Sequence, residues 1–147
     1  MKARKWLDRG LGRSDPIDLL TDSWRGFNSL FYKCEGGTER EKIKNFILQS
    51  VSEETASQLL AGHKKEVEYL LSQPVIDMRG SGRDTSTSIQ AYADANSCIK
   101  KLKEIFLVIY QVRCNLEHGQ KSPDRERDIQ LCASAWPFVA EVVDENA

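Results

Sequence analysis

Apolar positions in this chain recur at three- and four-residue spacing, the period of an amphipathic helix. Ile17, Leu20, Trp24, Phe27, Leu30 and Phe31 form the first clear set. Before them stands Asp15-Pro16, an N-cap followed by proline at the first helical position; after them Gly36-Gly37 stops the helix. Thr38-Glu39-Arg40-Glu41 is a capping box that opens a second helix carrying Ile43, Phe46 and Ile47. Ser52 opens a third, through Leu59 and Leu60 to Gly62, and a short fourth covers about 63–72, before Pro74. The Gly/Ser-rich MRGSGRDTSTS, 78–88, predicts a mobile loop. A long helix is expected from about 86 to 118. A last one, capped by Ser122-Pro123-Asp124, should run to about 143, with Pro137 as a candidate kink.

No segment alternates β-branched and polar residues, and there is no hairpin turn, internal repeat or low-complexity tract. The expected class is all-α: an antiparallel helical bundle with additional short helices, in a single domain over 1–147.

The long helix carries an anomaly. On a wheel at 100° per residue, Ile99, Leu102, Phe106, Ile109 and Leu116 share one stripe, with Lys100, Lys101, Glu104 and Gln111 opposite. Arg113 falls in the middle of the apolar stripe. A buried unpaired guanidinium is costly, so Arg113 should either pair inside, for example with an acid of a neighbouring helix, or line a cleft. Residues 105–110, IFLVIY, are apolar nearly all round. Such a helix is buried on every side, either at the centre of the bundle or beneath a second subunit.

Bulk composition narrows the classes. Apolar residues are 40% and charged residues 29%, the balance of a folded domain. A net charge of −1 argues against a surface coated in positive charge for long nucleic acid, but leaves room for a local basic site. Cys34, Cys98, Cys114 and Cys132 form no C-x-x-C pair, and with two histidines they give no zinc spacing. No metal or cofactor is expected, and reduced helical cysteines point to the cytoplasm. MKARKWLDRGLGR at the start is basic but lacks the apolar run of a signal peptide, and IFLVIY is too short to span a bilayer, so no membrane association is expected. Residues 1–13 read as a solvated, frayed basic terminus, with a nucleic-acid-binding arm as the alternative.

The segment 109–121, IYQVRCNLEHGQK, places Arg113 near the end of the long helix, His118 five positions on, and Gly119 where a helix would stop. It resembles the signature of HEPN domains, an arginine followed after four to six residues by histidine, and Asn-Leu-x-His-Gly at 115–119 is similar to small free-standing members. Helix order, with the motif before the final helix, also fits. The resemblance implies an all-α bundle and a metal-independent endoribonuclease, a toxin or phage-defence effector. It would work as a homodimer with two motifs facing one cleft, with an antitoxin or other protein partner. Arg113 and His118 would be the catalytic pair. The polar residue common directly after the arginine is Cys114 here, with Asn115 one further on, so either could be the polar helper. The position two past the histidine, a modified tyrosine in some toxins, is Gln120. The alternative is a non-catalytic HEPN-like module that binds RNA, nucleotide or a protein partner, with Arg113 paired internally and His118 favoured by the helix dipole.

The chemistry suits these residue types. Metal-free RNA cleavage needs the 2′-OH deprotonated, the 5′-oxygen protonated and the phosphate charge stabilised. Histidine titrates near neutral pH, at about 6.5, and arginine donates a planar pair of charge-assisted hydrogen bonds. One histidine cannot be base and acid at once, and the other, His63, lies far away in sequence. A symmetric pair of chains would supply the second. No Gly-rich phosphate loop or Ser/His/Asp arrangement competes.

Overall fold

The computed structural model describes residues 2–117 and 125–147. The first caps form as their sequences dictate. Asp15 accepts the Ile17 N–H at 2.8 Å and opens α2 (Pro16–Phe31). Thr38 accepts the Glu41 N–H at 3.1 Å and opens α3 (Glu39–Ser50). In the same box the Glu41 carboxylate reaches back to the Gly37 N–H at 2.8 Å. Ser52 caps α4 (Glu53–Gly62), and α5 (Lys64–Leu71) comes next. The chain is all-α: with α1 (Lys2–Leu11), α6 (Ser86–Asp94), α7 (Cys98–Glu117) and α8 (Glu126–Asn146), eight helices lie among the described residues, and no strand does. None is long and apolar enough to cross a membrane.

α7 is the axis of the fold. Ile105, Phe106, Val108 and Ile109 are completely buried and Leu107 nearly so, covered by the chain's own helices α2, α3, α4, α5, α6 and α8. The all-round apolar run is therefore explained by a central position, without a second subunit. Centrality also corrects the wheel. Glu104 and Gln111, expected to face outward, are buried, Glu104 beside the Lys103 ammonium at 3.1 Å. An aromatic cluster of Trp24, Phe27, Phe31, Phe46 and Phe106 joins α2 and α3 to α7, with ring centroids 5.0–6.0 Å apart.

Three further expectations change. The single helix over 86–118 is two, because Ala95 is extended and Ser97 caps the second of them. The Glu53 carboxylate of α4 accepts the Cys98 and Ile99 N–H groups at 2.6 and 3.2 Å, meeting the free donors and positive dipole end of α7. Those bonds hold the Glu53 carboxyl below its ordinary range. The basic N-terminus is no frayed arm: residues 2–11 are helical and bury Ala3 and Leu7 against α2 and α8. The segment 78–88 is tied rather than loose in this structure. Ile76 and Asp84 form an isolated antiparallel bridge, and Asp77, buried beneath the turn, accepts from Arg79 N–H at 3.1 Å and Ser81 Oγ–H at 2.7 Å. Its last residues, from Ser86, already belong to α6.

α8 starts at Glu126 and continues through Pro137 to Asn146. The Ser122-Pro123-Asp124 cap and the Gly119 stop lie outside the described residues.

Candidate functional site

α1 and α2 cross closely and antiparallel. Gly26 faces the Ala3 carbonyl, where a Cβ would stand 2.9 Å from the oxygen, and Gly10 faces Asp22 at 3.2 Å. Position 3 against 26 and 10 against 22 fixes the opposed direction. The same crossing lowers Asp22, on α2, into the junction, where its side chain is 4% exposed.

Three arginines surround that carboxylate. Arg9 Nε is 3.5 Å and Arg13 Nε 3.4 Å from Oδ2, and Arg25 Nη1 is 3.4 Å from Oδ1. Only the Arg25 contact qualifies as a hydrogen bond; Oδ2 makes none. Arg9 and Arg25 also lie over the Trp6 ring, at 5.6 and 4.9 Å from its centroid.

Arg25 reaches a second place as well. With Thr21 of α2 and Arg113, Leu116 and Glu117 of α7, it lines an open cleft of about 300 Å³. Arg113 satisfies both sequence expectations in part. Its guanidinium lies 6.0 Å from the centroid of Trp24 and in the cleft, its side chain 23% exposed. It pairs with Glu117, an acid of its own helix rather than a neighbouring one. The Glu117 side of that pair is half exposed, and the pair runs Arg-to-Glu, the less favourable order at i,i+4.

Asn115 and Cys114 stand elsewhere; neither lines this cleft. Asn115 is fully buried and its amide is committed. It donates to the Ile76 carbonyl at 2.9 Å and accepts from the Met78 N–H at 3.2 Å and Gln111 Nε2 at 3.1 Å. Cys114 is buried beside Tyr110, and burial pushes its thiol above the ordinary range despite the Tyr110 hydrogen bond and the positive charges of Arg113 and Arg79. Burial raises the Tyr110 phenol too, and the Cys114 and Glu39 neighbours add to it. A thiol held protonated is a poor nucleophile.

His118 lies outside the described residues. His63, the other histidine, is at the junction of α4 and α5, its Nε2 2.9 Å from Glu141 and its ring 5.2 Å from Phe138. Among the described residues no three His, Cys, Asp or Glu side chains are grouped to share a metal ion.

The sequence reading missed Arg25, Thr21, Glu117 and the Asp22 cage. One signal was present: Asp22 and Arg25, three apart, share a side of α2, and Arg9 and Arg13 stand close before it in the sequence. Comparison with known proteins gives no support in either direction: no family model, curated protein or solved structure matches this chain.

Proposed function

We propose that this chain is a metal-independent endoribonuclease of the HEPN type, a toxin or phage-defence effector acting on RNA. The observation that carries the reading is Arg113. It is a guanidinium braced on Trp24 in an open cleft, with a second arginine beside it, at the end of the helix that leads into His118. In the proposed reaction a base takes the 2′-OH proton and the 2′-oxygen attacks phosphorus. An acid protonates the departing 5′-oxygen, leaving a cyclic phosphate and a free 5′-hydroxyl. His118 performs the proton work and Arg113 holds the phosphate oxygens, exchanging its Glu117 partner for the substrate. Asn115 serves indirectly, by tying the 76–78 segment to α7, and Cys114 takes no charged role.

One histidine per motif favours two copies around one cleft. Light scattering on the eluting protein should then give about twice the 16.7 kDa chain mass. A monomer at tens of micromolar would remove the composite site.

A second reading has its own observation. The Arg113–Glu117 pair satisfies the arginine without a ligand, as in a non-catalytic module that binds RNA or a protein partner. His118→Ala decides between them. The ribonuclease loses about 10²-fold or more in cleavage rate, the usual scale for acid–base catalysis, with its melting temperature unchanged and its activity indifferent to EDTA. Equal cleavage by the variant, or activity abolished by chelation and restored by magnesium, rejects it.

A further inference from the structure

The cage on Asp22 holds more positive charge than the fold requires. One guanidinium, set bidentate, neutralises one carboxylate. Here three gather on a single buried acid, and Asp18 approaches only Arg13, at 4.0 Å. Their contacts to Asp22, at 3.4–3.5 Å, are longer than the 2.7–2.9 Å of a charge-assisted bond, so most of their donors are uncommitted among the described residues. The arginine side chains are 39–55% exposed while that of the acid beneath them is 4% exposed. Solvent therefore meets arginine edges, not the carboxylate. Asp22 offsets the mutual repulsion that would otherwise scatter three like charges, and Trp6 orients two of them. That is a site organised before its ligand arrives.

Arg25 links this cage to the Arg113 cleft, because it belongs to both. We propose that Arg9, Arg13 and Arg25 form a second phosphate-binding subsite, which takes a neighbouring phosphate of the same RNA strand whose scissile phosphate sits at Arg113. This rests on reading the Arg113 cleft as the place where RNA is held. Arg25 is shared between the two phosphates, and α1, rather than trailing as a basic arm, carries Arg9, with Arg13 in the link to α2.

The test separates the subsite from the chemistry. Binding of a fluorescein-labelled 2′-O-methyl RNA oligonucleotide, which keeps its phosphates and cannot be cut, is measured by anisotropy across a salt series. The full-length wild type is set beside Arg9→Gln, Arg13→Gln, Arg25→Gln and Arg25→Lys. Each Gln variant leaves two arginines on Asp22, and its melting temperature is measured alongside. Losing one phosphate contact should lower the slope of log affinity against log salt by about 0.7 and weaken binding about tenfold at low salt. Arg25→Lys should fall between wild type and Arg25→Gln. Lys64→Gln on α5 changes net charge equally and should leave the slope alone. The proposal is overturned if folded Arg9 and Arg13 variants bind as wild type does, or if Lys64→Gln loses as much as they do. Cage variants that bind weakly beside a wild type that cleaves no RNA would uphold the subsite and reject the ribonuclease. A wild type that cleaves while the cage variants bind and cleave equally well would do the reverse.

Discussion

Arg113 and Asn115 are two positions apart on the same helix and have opposite fates. Asn115 is sealed, and its oxygen and nitrogen are both committed to backbone groups of the 76–78 segment or to Gln111. Arg113 stands at the rim, leaning on Trp24, its charge met by a half-exposed acid that a ligand could displace. Completed hydrogen bonding marks a residue as architecture. Charge held loosely in an open cleft marks one as available. The polar residues of a motif need not share a role because they share a turn.

The comparison breaks hardest at Asn115. Asn115→Ala should leave the buried Gln111 amide without its partner, at about 1–3 kcal/mol, and release the part-buried Ile76 carbonyl and Met78 N–H to solvent at less cost. Denaturant unfolding measures the loss. A fall of less than about 0.5 kcal/mol, the ordinary range of surface changes, would make Asn115 no more architectural than its exposed neighbours. Arg113→Ala should cost far less stability, about 0–1 kcal/mol, because its ion pair is solvent-screened. Its effect should appear instead in RNA binding and cleavage. A stability loss of several kcal/mol at Arg113 would invert the contrast.

The smallest effect concerns the loop that Asn115 anchors. Ser81 Oγ–H, the Arg79 N–H and the Arg79 guanidinium hold Asp77 well below its ordinary 3.8, at about 2. A carboxyl depressed in the folded state contributes stability above its unfolded value and loses it as pH falls through the folded one. The 76–84 turn should therefore loosen between about pH 4 and pH 2, seen as faster amide exchange at Arg79 and Ser81. Asp77→Asn should abolish that step. An unchanged acid profile in the variant would show that other carboxylates govern it.

Much of the helix order was legible because N-caps are local chemistry: Asp15, Thr38 and Ser52 act within three residues of themselves. The centrality of 105–109 was legible too, as one of two options, since an all-round apolar helix admits few environments. What escaped depends on distant partners. The break at 95–97 is reinforced by Glu53, which no local window connects to Cys98. Glu104 and Gln111 look like a solvent face until α6 and the 82–88 segment are placed over them. Arg113 could be singled out as anomalous, but the wheel could not show that Arg25 would stand beside it. That depends on how α2 packs against α7, with Trp24 beneath Arg113.

The packing of α1 on α8 has a temporal side. Arg4 bonds Asp144, 140 positions away, and α2 leans along α8 as well as α1. During synthesis, α1 and α2 leave the ribosome long before α8 exists to cover them, and contacts of such long sequence separation form late. The residues of the cage are made within the first 25 positions, but α2 packs on α8 as well as α1, so its burial waits for α8, and Arg113 meets Trp24 only once α7 has been made. If the chain cuts RNA as proposed, a nascent copy has no Arg113 cleft until α7 has been made, and until then spares the message it is being read from.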